Sequence, residues 1–324
     1  MEGICAFLIC SEGGSRVNNE ARVAVKTMIG ARSKFLDYIE LMKPELTGLS
    51  VLTALCGFYL GGDVFHPLPF LMVALGTLLL GGGAGTLNQY MERTFDAMMK
   101  RTERRPIPAG RLLPGNALIF GLLLSLCGLV VLFLGVNILT GAVGFGTILS
   151  YLAFYTPLKR VTPLSTVVGA IPGALPPVMG WTAASNSIGV GAIILFGILF
   201  FWQMPHFLSL AWMYRKDYAR AGYKMMTVMD DHGVRTGFHM LFHTMALVVV
   251  SVASSFIGLT GLMYGSGALL LGLGFLMFSL LFLRFATRSD DGAAARVNQY
   301  SRQLFFASLL YLPALMFLMT VDKS

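Results

Sequence analysis

Charge is what this 324-residue chain has least of: only 12% of its residues are Asp, Glu, Lys or Arg. A water-soluble domain carries about twice that share, so an ordinary soluble globule is excluded. Cysteine is scarce as well. The four present (Cys5, Cys10, Cys56, Cys127) fall at no spacing that makes a zinc site or a disulfide framework. Alternating apolar and polar residues are lacking; the apolar runs are continuous, which excludes a transmembrane barrel. No secretory leader is expected from the first residues. ICAFLIC near the start is too short for one and has Glu2 where a positive charge belongs. Residues 1–33 therefore read as a flexible cytoplasmic tail, and Met28 as a candidate alternative start.

What is present is hydrophobic length. Apolar residues make up 56% of the chain, and the mean hydropathy is +0.72. Nine stretches suit the roughly 20 residues needed to cross a bilayer: about 46–62, 68–88, 116–135, 139–156, 164–183, 188–213, 238–259, 264–283 and 303–320. The fold class is thus all-α, a polytopic membrane helical bundle of about nine transmembrane helices. The fifth stretch contains GAIPGALPPVMGW and is expected to kink or break at its prolines. Residues 35–45, FLDYIELMKPE, read as an interfacial amphipathic helix. Every lysine and arginine except Lys323 falls before the first span or in the alternate loops that share its side. That bias places the N-terminus inside and the C-terminus outside. The net charge of +8 is then a topology signal, and no nucleic-acid partner is implied. The expected location is the cell (inner) membrane, a bacterial plasma membrane in preference to a mitochondrial inner membrane.

The inner loops carry the chemistry. Residues 88–105 read NQYMERTFDAMMKRTERR, directly after an uncharged run. Asn88, Glu92 and Asp96 recur every fourth residue, so on a helix they spread over only roughly 80° of surface. Carboxylate and amide oxygens on one face suit a hard divalent cation that also binds phosphate oxygens, with magnesium the natural candidate. A solvated polar stripe has the same spacing, so spacing alone leaves both readings open. Lys100, Arg101, Arg104 and Arg105 follow at once, and guanidinium forks beside acid oxygens are what a metal–diphosphate site needs. A second inner loop, YTPLKR, offers Tyr155, Lys159 and Arg160. A third, FWQMPHFLSLAWMYRKDYARAG, offers Gln203, His206, Arg215, Lys216, Asp217 and Tyr218. Three such loops suggest one shared pocket on the inner side.

Three stretches carry a resemblance: NQYMERTFDAMMKRTERRPIPAGR, YTPLKRVTPLSTVVGAIPGALPPVMGW and FWQMPHFLSLAWMYRKDYARAGYKMM. They are similar to the UbiA superfamily of intramembrane prenyltransferases and, within it, to the protohaem IX farnesyltransferase (haem O synthase) family, over about residues 35–320. The family motif N-x-x-x-D-x-x-x-D is filled here by Asn88, Glu92 and Asp96, with Glu92 departing from Asp. Thr94 stands where a further Asp is often found. Glu45 stands where an Arg is expected, and it is assigned no role. The resemblance implies a UbiA-type intramembrane prenyltransferase domain over residues 34–324. It implies transfer of a farnesyl group from farnesyl diphosphate to a vinyl group of haem b, giving haem O, with Mg²⁺ assisting diphosphate departure. Asn88, Glu92, Asp96 and Asp217 would hold the metal. Arg93, Arg101, Arg105, Tyr155, Lys159, Arg160, Gln203, His206 and Arg215 would take the diphosphate and the haem. Lys159 and His206 join the four metal residues as the catalytic set. His206 would touch the haem iron or a propionate, or act as a base. A downstream haem A synthase is a candidate partner.

Other readings compete. A transporter places polar groups near the bilayer midplane in two related halves; here they gather at one edge, and nine spans do not halve. A non-catalytic assembly factor does not need three convergent loops. Within the enzymes, a prenyltransferase acting on an aromatic or quinone-precursor acceptor would carry a second full acidic motif, but Ala221 stands four residues after Asp217. The pair His239 and His243 lacks a third ligand on its helix and reads as structural.

Overall fold

The computed structural model describes residues 34–324; the expected tail, with Cys5, Cys10 and Met28, lies outside the described residues. Those residues form helices joined by short loops, with only an isolated bridge between Thr260 and Lys323. A short helix α1 (34–41) leads in. Then come α2 (Pro44–Gly61), α3 (Pro67–Asp96), α4 (Pro114–Gly135), α5 (Ile138–Leu149) and α6 (Thr156–Leu158), the last two joined by a π-helical segment, Ser150–Tyr155. The chain continues through α7 (Ser165–Ser185), α8 (Val190–Met213), α9 (Arg215–Arg220), α10 (Val234–Phe256), α11 (Leu262–Ala286) and α12 (Ala293–Val321). Eight rods, counting α5 to α6 as one, are long and apolar enough to cross a membrane. The expected first span is the 18-residue α2, whose opening Pro44 and Glu45 dilute an otherwise apolar helix.

The outer surface is apolar: Leu122, Leu126, Phe242, Val249 and Leu310 are all exposed. The interior instead admits small hydroxyls. Thr86, Ser125 and Thr244 are buried, and each donates to the carbonyl four residues earlier on its own helix. That distribution suits a bundle in lipid, where close approach of helices replaces hydrophobic burial as the cohesive force. Small residues permit the approach. A Cβ on Gly180 of α7 would land on the Ala54 carbonyl of α2, and one on Gly57 would strike Pro177 in return.

Three local features position the site. First, α1 stops early because Lys43 takes a left-handed backbone (φ 51°), and Pro44 starts α2 behind it. The turn is clamped: Arg111 donates to Asp37 and Glu40, both at 2.7 Å, and Gln89 donates to the Leu41 carbonyl at 3.1 Å. Second, α3 does not end with its apolar run. It continues in one piece through the polar motif to Asp96. Third, the rod from α5 widens just before Pro157, whose ring cannot sit under the carbonyl four residues earlier. The Thr156 N–H reaches back to the Tyr151 carbonyl instead, and the Thr156 hydroxyl donates to the same oxygen at 2.9 Å.

Of the kink or break expected in α7, the break does not occur: Ser165–Ser185 is one helix with Pro172, Pro176 and Pro177 inside it. Each proline leaves a carbonyl one turn earlier without its usual donor. Pro172, Gly173 and Pro176 line a cavity, which is where a membrane protein tolerates irregular backbone bonding. Lys323, which stands apart from the basic loops, sits at the C-terminal end of α2. Its ammonium binds the last carbonyls of α2, Tyr59 at 2.7 Å and Gly62 at 2.6 Å, a favourable place for a positive charge.

Candidate active site

The cavity, about 330 Å³, opens among α2, α3, the π-helical segment, α7 and α8. At its polar end lie Asn88, Glu92 and Asp96, on one stripe of α3 and all buried. Each faces a base from another part of the chain. The Lys43 ammonium donates to Asn88 Oδ1 at 2.6 Å. The Lys159 ammonium straddles the Glu92 carboxylate at 2.9 and 3.2 Å. Arg105 pairs with Asp96 Oδ2 at 2.7 Å. Arg101 lines the same mouth, bonded to the Tyr218 hydroxyl at 3.2 Å. Four cations (Lys43, Arg101, Arg105, Lys159) thus meet two carboxylates (Glu92, Asp96). An excess of positive charge in a poorly solvated cleft draws in a polyanion.

Burial works against the charge of Lys159, but the adjacent Glu92 carboxylate prevails and holds the ammonium well above the usual lysine range. Lys43 shows the opposite balance. Burial, with Arg105 adding repulsion, pulls it down to about 7 despite the attraction of Glu92. The phenol of Tyr223, at the same mouth, is pushed up mainly by burial and then by the Glu92 charge.

Away from the mouth the lining turns apolar and aromatic. The π-helical widening brings Tyr151 and Tyr155 together, ring centroids 5.5 Å apart, and Lys159 lies 4.4 Å over the Tyr155 ring. Glycines on α7 make the room. A Cβ on Gly169 would strike the Tyr155 ring, and one on Gly173 would strike the Gln203 amide. Gln203 donates to the Leu199 carbonyl at 3.0 Å. One turn along α8, His206 stacks between Trp202 (5.0 Å) and Phe305 (4.9 Å).

Of the residues expected from sequence, the structure gathers Asn88, Glu92, Asp96, Arg101, Arg105, Tyr155, Lys159, Gln203 and His206 around this one cavity. Four expected residues, Arg93, Arg160, Arg215 and Asp217, do not line the cavity in this structure. Arg93 folds back onto its own helix, 2.7 Å from the Tyr90 carbonyl and over the Tyr90 ring, because position 93 is a quarter-turn off the polar stripe. Arg160 points away from its neighbour Lys159 and covers Phe95 at 4.4 Å. Arg215 lies over Trp212 at 4.2 Å and lines a small surface hollow. Asp217 pairs with Arg220 at 3.3 Å on the short helix α9, outside the cavity lining. Asp217 therefore does not join the α3 carboxylates, and among the described residues no cluster of three His, Cys, Asp or Glu forms. In the pair His239 and His243, the His243 ring bonds to the His239 carbonyl at 2.7 Å.

Sequence reasoning missed Lys43, Tyr151, Gly169, Gly173 and Tyr223. The lysine of MKPE reads in sequence as one more loop cation, and only the left-handed turn at Lys43 shows where it aims. The residues present fit a divalent cation on one count. Asp96 Oδ1 is buried without a hydrogen-bond partner, an acceptor oxygen left free beside the amide and carboxylate of Asn88 and Glu92 on the same face.

A helical bundle with a cationic mouth above an apolar chamber defines a class: intramembrane enzymes that handle an anionic head on a lipid-like tail. The chain belongs to the UbiA prenyltransferase family, whose model matches residues 50–310. It is 42% identical to the protoheme IX farnesyltransferase of Opitutus terrae, covering 92% of this chain and 98% of that one. It is 41% identical to the mitochondrial protoheme IX farnesyltransferase of Homo sapiens, over 87% of this chain and 61% of the human one. Among solved structures, the fold is similar to one from work on digeranylgeranylglyceryl phosphate synthase in membranes (TM-score 0.71, 16% identity, 89% of this chain and 99% of that one). It is also similar to a UbiA homologue from Archaeoglobus fulgidus bound to GPP and Mg²⁺ (TM-score 0.62, 13% identity, 86% and 99%).

Proposed function

We propose that this enzyme transfers a farnesyl group from farnesyl diphosphate to a vinyl group of haem b, giving haem O. The observation that carries the reading is the mouth itself: Asn88, Glu92 and Asp96 on one helical stripe, each met by a base from another segment, above a chamber lined by Tyr155, Trp202 and Phe207. The names of the similar proteins supply the acceptor.

Bond by bond, the allylic C–O bond breaks, the vinyl carbon of the porphyrin forms the new C–C bond, and water adds at the cationic centre that results, losing a proton to leave a hydroxyl. Arg101, Arg105, Lys43 and Lys159 bind and neutralise the departing diphosphate. Asn88, Glu92 and Asp96 are the residues that would hold Mg²⁺, which when bound supplies Lewis-acid stabilisation of the leaving oxygens. Tyr151, Tyr155 and the apolar lining keep water from the allylic cation until the C–C bond has formed. We place the mouth on the cytoplasmic side of a bacterial plasma membrane, on the strength of the one-sided basic loops.

The test is direct. Purified protein incubated with haem b, farnesyl diphosphate and Mg²⁺ should yield a pigment heavier by one farnesyl group plus one hydroxyl group, read by mass spectrometry. Unchanged haem, alongside prenylation of an aromatic acid offered in parallel, would replace this reading with the quinone-precursor one.

A further inference from the structure

The geometry points to Ser308 as a positioning residue that fixes His206 in one tautomer and so presents its Nε2 lone pair to the cavity as an axial donor to the iron of the porphyrin substrate. This rests on the haem reading above. A serine hydroxyl has one hydrogen to give. Ser308 Oγ gives it to the Phe305 carbonyl three residues back on α12, at 2.5 Å. The 2.7 Å bond between Ser308 Oγ and His206 Nδ1 must then take its hydrogen from the histidine. In a neutral imidazole, a proton on Nδ1 leaves Nε2 bare. Among the described residues Nε2 has no hydrogen-bond partner, and it is not among the sealed-off polar atoms that lack one. His206 lines the cavity, so its free nitrogen faces that space.

The ring is held in place as well as protonated to order. Trp202 stacks on one face with its planes 19° apart, and Phe305 on the other at 27°. The Trp202 indole donates to the Ser308 carbonyl at 2.9 Å. The buried Ser308 therefore meets the histidine proton with its side chain and anchors the neighbouring indole with its backbone carbonyl. A rigid imidazole whose Nδ1–H donates to an oxygen, with Nε2 directed into an open site, is the arrangement of a metal-ligating histidine. The second hydrogen bond also raises the basicity of the donor nitrogen. Held by its iron, the flat porphyrin would have only in-plane rotation left, which fixes where its vinyl groups lie.

The experiment uses full-length protein in detergent, titrated with haem b and read by absorption and, for the ferrous form, by the iron–histidine stretch in resonance Raman. Wild type should show a histidine-ligated spectrum. His206→Ala should lose it and regain a ligated spectrum on adding imidazole. Ser308→Ala should keep the ligand but bind haem about tenfold more weakly, with the iron–histidine stretch moved to lower frequency. Ser308→Thr, which keeps the hydroxyl, should restore both. Farnesyl diphosphate affinity should be unchanged in all three, which separates these effects from unfolding. A wild-type frequency and affinity in Ser308→Ala would overturn the tautomer role, and an unaltered spectrum in His206→Ala would overturn the ligand. If wild type converts haem b without ever showing a histidine-bound iron, this inference falls and the farnesyl-transfer reading stands. If it neither binds nor converts haem b, both fall.

Discussion

The two ends of the cavity are built on different physics. At the mouth, every important contact is ionic or charge-assisted and joins separate segments: Lys43 to Asn88, Lys159 to Glu92, Arg105 to Asp96. At the aromatic end, the contacts are neutral hydrogen bonds and ring stacking between two packed helices, α8 and α12. Bonds of the first kind can be traded for a stronger anion at little net cost, since each cation merely changes partner. Bonds of the second kind define one shape and one proton arrangement. The mouth should therefore answer to charge and pH, and the aromatic end to geometry.

The largest expected effect comes from removing charge at the mouth without changing shape. Asp96→Asn removes the charge that pairs with Arg105 and blunts the buried Asp96 oxygen that has no hydrogen-bond partner. Turnover should fall by about 10²–10³-fold, while yield and thermal unfolding in detergent stay near wild type. Wild-type turnover would remove Asp96 from the chemistry. Lys159→Met comes next and acts on the fold as well. It strands Glu92, whose side chain is 5% exposed, and losing the partner of a buried charge costs about 3–5 kcal/mol. Adding Glu92→Gln should recover most of that stability and none of the activity. If the double variant melts no higher than the single one, the pair is not the buried ion pair described here.

The same contrast explains what could be read from sequence. Hydrophobic length and the one-sided basic loops were legible because they repeat over many residues; the nine spans agree with the helices to within a few residues at most ends. The clearest exception is the last, which begins at Ala293 instead of about 303 because its first three turns are polar and project beyond the apolar stretch. The α3 stripe was legible because a helical period decides which residues share a face. Arg93 fails that same period, so its exclusion could have been found. Asp217 and Arg215 could not be placed so easily, because the chain turns at Tyr214 into α9 and leaves the axis of α8. Nothing local announces that turn. Lys43 was hidden for the same reason, since a single left-handed residue redirects its side chain. The aromatic slot joins residues about a hundred positions apart, Trp202 and His206 with Phe305 and Ser308, and no spacing rule reaches that far.

A subtler effect separates Lys43 from the other cations at the mouth. Its ammonium titrates at about 7, so it is charged below that pH and neutral above it. An anion binds the charged form better, hence affinity for farnesyl diphosphate should be highest on the acid side and fall as pH rises through 7. Lys43→Arg keeps its charge throughout. Its pH profile should lose the inflection that remains once titration of the diphosphate itself is accounted for. Identical profiles in the two proteins would show that Lys43 does not sense the bound anion.

The smallest effects belong to the cations that miss the cavity, and they decide whether proximity in sequence or direction in space matters. Arg160 is adjacent to Lys159 in the chain but lies on Phe95, and Arg93 is adjacent to Glu92 but lies on Tyr90. Each such contact is worth about 0.5–1 kcal/mol at an accessible site. Arg160→Ala and Arg93→Ala should each lower the unfolding midpoint slightly and leave the KM for farnesyl diphosphate within about twofold of wild type, a difference of under about 0.5 kcal/mol. A tenfold rise in KM for either would mean that the loop rearranges when diphosphate arrives and brings these arginines in. The mouth would then be an induced site, and its likeness to a preformed cradle, as against the fixed aromatic slot, would have to be given up.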